Sequence, residues 1–308
     1  MSTWSLVSVS TGPDAPARVA ALSDGRLTTV PAFAAYQDLR DVIADWATTE
    51  PLLRGFDPSQ GEPIEGTVLA PLRSPGKVIC AGANYRDHLR EMGITDVPDG
   101  LESYFFLLPT TAIVGPGEAI VIPQDAGARV DWEAELTVVI GRAGRDIAEA
   151  DALDHVAGYT IMNDISARGY HKRSVALAPP FTFDWLSSKG RDTFCPLGDG
   201  ITPAFLVPDP QDLPIRQWRN GILEQDGTTA EMIFPIRALI AAASAVMTLE
   251  PGDIIATGTP AGVGAPRQLS VTEGDVLRVE IPGVATLENP IRVAQPLATV
   301  SATHAHTA

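Results

Sequence analysis

Two segments constrain the fold of this chain more than any other feature, because both read as apolar strands and both carry acids. Asp131 to Ile140, with the sequence DWEAELTVVI, has the period of two that places Glu133 and Glu135 on one face of a strand. Gly158 to Asn163 reads as a second apolar strand, and Asp164 closes it. If the two strands converge, three carboxylates meet, and like charges at short range repel strongly unless a cation lies among them. Oxygen-only ligands favour a hard divalent ion, Mg2+ first, with Mn2+ or Ca2+ as alternatives; three protein ligands leave positions open for water and substrate. Open positions point to catalysis. Alternating Glu is also the ordinary pattern of a solvated strand face. Asp164 tips the balance, because an acid that ends so apolar a strand is not on an obviously wet face, and buried carboxylates are rare unless paired or metal-bound.

The 308 residues accommodate one large domain, or a small domain beside a larger one. With 45% hydrophobic and 19% charged residues the composition is globular, and nothing in it reads as disorder. A formal net charge of −16 without a basic cluster repels phosphate backbones and anionic membranes, so neither nucleic acid nor membrane is an expected partner. The N-terminal residues lack the basic and long apolar stretches of a secretory signal, and the longest helix-like apolar run, Ala238 to Leu249, is short for a membrane span; a cytoplasmic location is expected. Cys80 and Cys195 lie too far apart in sequence to form a zinc pattern or a disulfide framework and read as core residues.

Residues 1–72 read as a small N-terminal domain, with strands at Leu6–Val9 and Ala17–Leu22 and a helix at Tyr36–Trp46. Pro51 to Pro75 has the Pro/Gly content of a linker. Residues 73–297 follow as the main domain. A strand at Lys77–Gly82 feeds a helix at Asn84–Met92, and further strands are predicted at 104–107, 119–122, 134–140, 158–163, 204–207, 253–257 and 276–281, with one clear helix from Ile236 to Met247. The pattern is α+β and strand-dominated, without the regular βαβ alternation of a doubly wound sheet. Residues 298–308 read as a frayed tail, with His304 and His306 more in keeping with an unordered segment than with a metal site.

His88 and Glu91 are three apart on the predicted helix, so they share a face, and a Glu beside a His raises its basicity and orients it as a general base requires. Exposed His/Glu pairs are also ordinary surface chemistry. Lys189, in the Gly/Ser context Ser187–Asp192, can hold an anionic substrate oxygen, or can be a solvated loop lysine. Pro251 to Gly264 is a strand running into a glycine-rich loop that brings backbone N–H groups and the Thr259 hydroxyl toward a ligand; it lacks the Gly-Lys-Ser/Thr of a phosphate loop.

Taken in order, the stretches Gly82–His88, Asp131–Leu136, Gly158–Arg168, Lys189–Phe194, Asn220–Gly221 and Pro251–Gly264 resemble the fumarylacetoacetate hydrolase family in its shorter bacterial form with a small N-terminal domain. The similarity extends from about Lys77 to Arg292. It implies a catalytic domain built around a mixed β-roll, usually dimeric, with a divalent ion held by Glu133, Glu135 and Asp164. By the same resemblance His88 and Glu91 match a catalytic dyad, Lys189 a catalytic cation, and Tyr85, Arg168 and Thr259 positions at the substrate, although Arg168 can equally brace the ligand strand. Two positions depart from the family pattern. Leu108 stands where members commonly carry a lysine, and His171 where many carry Gln. Exchanging a cation for an apolar side chain implies a substrate that is less anionic or more hydrophobic at its far end, and His171 could supply a second acid/base group.

The expected activity is hydrolytic carbon–carbon cleavage of a 1,3-dicarbonyl compound such as an acylpyruvate or other 2,4-dioxo acid, of the kind met in aromatic catabolism. The alternatives are tautomerisation, isomerisation or decarboxylation of a 2-oxo acid, with oxaloacetate or a dienedioate as substrate, and a non-catalytic metal-binding protein of this fold.

Overall fold

A computed structural model describes residues 3–12 and 15–295. The predicted tail with His304 and His306 lies outside the described residues. The architecture is strand-dominated α+β, as the sequence pattern predicts. A six-stranded sheet runs in the order Thr202–Pro203, Val156–Asn163, Ala134–Ile140, Ile254–Ala256, Val78–Gly82, Tyr104–Leu108. Ile254–Ala256 and Val78–Gly82 are parallel, and the other pairings are antiparallel. A five-stranded sheet runs Ile222–Thr228, Pro214–Arg219, Val276–Ile281, Ala285–Val293, Ile120–Ile122.

The acid-bearing strand Ala134–Ile140 and its neighbour Val156–Asn163 are buried along their whole length. Leu136, Val138 and Ile140 point into a core shared with Ile215, Val279 and Ile281 of the five-stranded sheet. That core also takes Ile236, Ile240 and Ala243, the i, i+4, i+7 face of the helix Ile236–Val246. Val139, Met162, Cys80 and Ala256 belong to a second core with Trp4, Leu6, Val42, Ile43 and Trp46, so the N-terminal segment packs directly onto the main sheet. Leu6 and Ile201 exchange two backbone hydrogen bonds across the same junction. Both cysteines are buried and free. Among the described residues no helix is long and apolar enough to cross a membrane.

The structure departs from the sequence pattern in four places. The predicted strand 204–207 is a 3-10 turn, Ala204–Leu206. The stretch read as a linker holds the helix Trp46–Arg54, which includes Pro51, and the strand Thr67–Leu69. Burial of Trp46, Thr49 and Leu53 outweighs local Pro/Gly punctuation there. The hairpin Pro214–Thr228 was not predicted, although its turn residues Asn220 and Gly221 have φ of 53° and 78°, as a primed two-residue turn requires. Finally, Asp131–Ile140 is two strands, Val130–Asp131 and Ala134–Ile140, and the break between them builds the site described below.

Gly158 lies where the strand Val156–Asn163 meets Thr202–Pro203, and a methyl group on it would collide with the Thr202 carbonyl oxygen. Gly158→Ala should therefore lower stability by about 1–3 kcal/mol, seen as a reduced thermal midpoint with unchanged secondary structure.

Candidate metal centre

The site forms where two paired strands change ladders at the same level. Ala134 pairs with Asn163 in the six-stranded sheet, whereas Asp131 pairs with Ser166 in a separate two-stranded ladder. At the break the Glu133 N–H donates to Asn163 Oδ1 (3.0 Å), and the Asp164 N–H donates to the Glu133 carbonyl (2.8 Å). Glu133, Glu135 and Asp164 each offer an oxygen, and these oxygens all lie within 4.8 Å of one another. The three residues are 7%, 1% and 1% exposed, which rules out a solvated strand face.

Two cations are fixed against this cluster. Lys189, at the end of the short helix Trp185–Lys189, donates to Glu133 Oε2 (2.8 Å) and Asp164 Oδ2 (2.6 Å). Arg168 donates to Glu133 Oε1 (2.5 Å) and Asp131 Oδ1 (2.6 Å). Glu135 Oε2 accepts the Gly258 N–H at 2.7 Å, while Asp164 Oδ1 is buried without a partner. With Asp131, four buried carboxyl groups face the two cations Lys189 and Arg168, so acids outnumber cations by two. An oxygen-only donor set, an orphaned carboxylate oxygen and that excess all fit a divalent ion.

Titration follows the same balance. Burial acts to raise Glu133, but Lys189 and Arg168, with His88 behind them, outweigh it and hold the carboxyl at about 2. Burial pushes Asp164 up to about 6, with Lys189 opposing and Glu133 adding to the rise. Glu135 is driven well above the usual carboxylate range by burial and by its neighbours Asp164 and Glu133. Burial works against the Lys189 ammonium, yet Asp164 and Glu133 hold it charged.

The His/Glu pair sits on the helix Arg86–Glu91, which follows the strand Val78–Gly82. His88 Nδ1 lies 3.2 Å from Glu91 Oε2, and Glu91 Oε1 accepts the Gly262 N–H at 3.0 Å. Asp87 Oδ2 accepts the Ala261 N–H at 3.1 Å, so the glycine-rich loop is tied to the helix at two adjacent residues. His88 is 7% exposed and lies within electrostatic reach of Glu133, so dyad and carboxylates share one site.

Other predicted positions land differently. Thr259 donates to the Ala134 carbonyl (2.9 Å) and accepts from Gln225 Nε2 (2.8 Å), which commits its hydroxyl to bracing the acid strand. Tyr85 is fully buried in the main core and Leu108 lies in the second, 5% exposed. Apolar packing holds both side chains, and the Tyr85 hydroxyl is buried without a hydrogen-bond partner. Arg168 meets the brace reading through its two carboxylate contacts. His171 is half-buried against Phe183 and Trp185, and burial with the Arg168 and Lys189 charges lowers its pKa. A surface cavity of about 1030 Å3 between Ser23–Thr28 and Asp57–Gly66 contains none of these residues.

Sequence reasoning missed three members of the frame. Asp131 stands inside the quoted acidic motif but gave no reason to expect an Arg168 partner. Asp87 is adjacent to His88. Gln225 binds the Ala134 N–H, Thr259 and the Pro260 carbonyl from a hairpin distant in sequence, and carries no local signal.

Comparison with known proteins identifies the family. The profile described as fumarylacetoacetate (FAA) hydrolase C-terminal matches residues 77–292. This chain belongs to the fumarylacetoacetate hydrolase family. It is 44% identical to a mitochondrial oxaloacetate tautomerase of Xenopus laevis over 227 residues, 73% of this chain and 68% of the relative. Among solved structures it resembles a fumarylacetoacetate hydrolase from psychrophilic Exiguobacterium antarcticum, with TM-score 0.78 and 33% identity, covering 96% of this chain and 100% of the other. It also resembles maleylpyruvate hydrolase from Sphingobium sp. SYK-6 in complex with manganese(II) and pyruvate, with TM-score 0.76, 30% identity and coverage of 94% and 100%.

Asp164 and Glu135 hold their protons above the usual range, and an ion needs both ionised. Mn2+ affinity should therefore rise with pH through about 6, with proton release on binding, and fall by at least roughly tenfold per pH unit below it. Calorimetric titrations of Mn2+ across that range, in buffers of different ionisation enthalpy, measure both effects.

Proposed function

We propose that this protein is a divalent-cation-dependent hydrolase that cleaves the C3–C4 bond of a 2,4-dioxo acid. The observation that carries this reading is the dyad: His88 is oriented by Glu91 through Nδ1, Glu91 is itself anchored by Gly262, and His88 lies close enough to act electrostatically on Glu133. That arrangement leaves Nε2 free to work as the base. Glu133, Glu135 and Asp164 would hold the ion, which when bound supplies Lewis-acid polarisation of the oxo-acid oxygens.

The chain's own residues supply the rest. His88 Nε2 takes a proton from water, and the hydroxide adds to the C4 carbonyl. The C3–C4 bond then breaks with its electron pair left on C3 as an enolate, releasing the C4 fragment as a carboxylic acid. Lys189, kept charged by Glu133 and Asp164, stabilises the developing enolate charge. His88 returns its proton to C3 and leaves a 2-oxo acid. The net change is addition of one water and formation of two acids. Hydrolysis uses the imidazole in both directions, as a base toward water and an acid toward carbon.

A second reading is supported by the name of the Xenopus laevis relative: proton transfer alone, tautomerising oxaloacetate or a similar oxo acid. The same His88 would move a proton between C3 and the C2 oxygen, with no water consumed. A homodimer and a cytoplasmic location remain part of the proposal. For either chemistry, His88→Ala should cost about 10²- to 10⁴-fold in kcat while Mn2+ binding persists. Mass analysis of products from acylpyruvates and oxaloacetate, with and without metal, separates the readings. Gain of water with cleavage into two acids supports hydrolysis. Acceleration of keto–enol exchange without cleavage supports the tautomerase.

A further inference from the structure

Sequence reasoning placed the apolar character of the far-end substrate site at Leu108, but that side chain is packed in the core. The aromatic surface lies two and four residues earlier on the same strand. Tyr104, Phe106 and Leu108 share one face of the strand Tyr104–Leu108, and burial falls along it, from Leu108 at 5% exposed to Tyr104 at 49%. Phe106 is the link to the carboxylates, because its ring centroid is 5.6 Å from Lys189 Nζ, within cation–π range.

Trp185 and Lys189 are four apart on one short helix and so share a face, and Trp185 stacks on Phe106 with centroids 4.8 Å apart at 26°. Trp185 also meets Tyr104 at 5.4 Å and His171 edge-on at 4.4 Å, and His171 in turn meets Phe183 at 5.3 Å. The loop that supplies His171, Phe183 and Trp185 leaves the site after Arg168 and returns to it at Lys189. Its base is pinned by the Asp184 N–H on the His171 carbonyl (2.9 Å) and by the Arg173–Asp184 ion pair. Five partly exposed rings are thus fixed in a continuous strip that begins at the ammonium bonded to Glu133 and Asp164 and ends in solvent. In water such a strip costs hydration free energy, and Phe183 alone is 57% exposed.

We infer that this strip, carried by Phe106, Trp185, His171 and Phe183, is the subsite for the acyl substituent beyond C4, and that it selects 2,4-dioxo acids bearing an aryl or comparably large apolar group. The inference rests on the function proposed above and names its substrate class. The rings of the strip carry no fixed positive charge, and their faces reward a flat apolar substituent. Lys189 marks the boundary, with the oxo-acid end on its carboxylate side and the substituent on its Phe106 side.

The test is equilibrium binding to the Mn2+-loaded protein carrying His88→Ala, which does not consume the ligand. Acetylpyruvate and benzoylpyruvate are titrated calorimetrically against that protein and against the same protein with Trp185→Ala or Phe183→Ala added. Benzoylpyruvate should bind about tenfold or more tighter, and each added substitution should reduce that ratio severalfold. The Phe183 ring is half in solvent, so its removal reads the subsite even if the tryptophan substitution disturbs the helix of Lys189. Equal affinity for the two ligands, or a ratio that neither substitution moves, would overturn the inference. Absence of Mn2+-dependent binding of either ligand would overturn the metal-centred function and the subsite with it. Absence of cleavage by the unsubstituted enzyme, with the binding ratio intact, would overturn hydrolysis alone.

Discussion

The rest of the site depends on one electrostatic imbalance: four carboxyl groups, Asp131, Glu133, Glu135 and Asp164, are buried against two cations, Arg168 and Lys189. Taking a charge out of water costs several kcal/mol even after relaxation. Removing one partner from such a pair costs about 3–5 kcal/mol more, because the other charge is then stranded. The fold meets this cost with directed hydrogen bonds: Ala265 N–H on Asp131 and Gly258 N–H on Glu135. What it leaves unmet is the Asp164 Oδ1 atom and a surplus of acids over cations. A centre so arranged stores binding free energy for a divalent ion.

The same imbalance explains the glycine-rich loop. Its residues 258, 261 and 262, and Ala265 just beyond it, present their N–H groups to Glu135, Asp87, Glu91 and Asp131. The loop therefore acts as a strap between the ion cluster and the dyad helix, with its donors spent on carboxylates of the frame. Gln225 ties the acid strand to that strap from the far hairpin. The relative placement of general base and metal ligands is thereby set by backbone groups, which have little freedom to drift.

Family membership does not choose the reaction. The protein named an oxaloacetate tautomerase and the one named a maleylpyruvate hydrolase are both relatives of this chain. Enolate chemistry is common to both reactions, so the carboxylates, Lys189 and His88 do not distinguish them. Distinction has to come from what lies beyond Lys189, which in this chain is aromatic surface.

The sequence by itself determined the strand-dominated class, the family, and the acids Glu133, Glu135 and Asp164, together with His88 and Glu91 as a helical pair. Each of these rests on a local rule: period two along a strand, spacing of three on a helix, or an ordered series of short motifs. The same rules failed where burial set the outcome. Trp46–Arg54 is helical through Pro51 because its apolar face is covered, and residues 204–207 turn instead of pairing. Only the tertiary structure decided that the acid strand breaks at Trp132–Glu133, that Thr259 braces the frame, that Leu108 is core, that Asp131 and Gln225 join the frame, and that aromatic rings gather around Trp185. These are contacts between residues tens of positions apart, fixed by strand order and by the balance of buried charge, and periodicity within one segment holds no record of them.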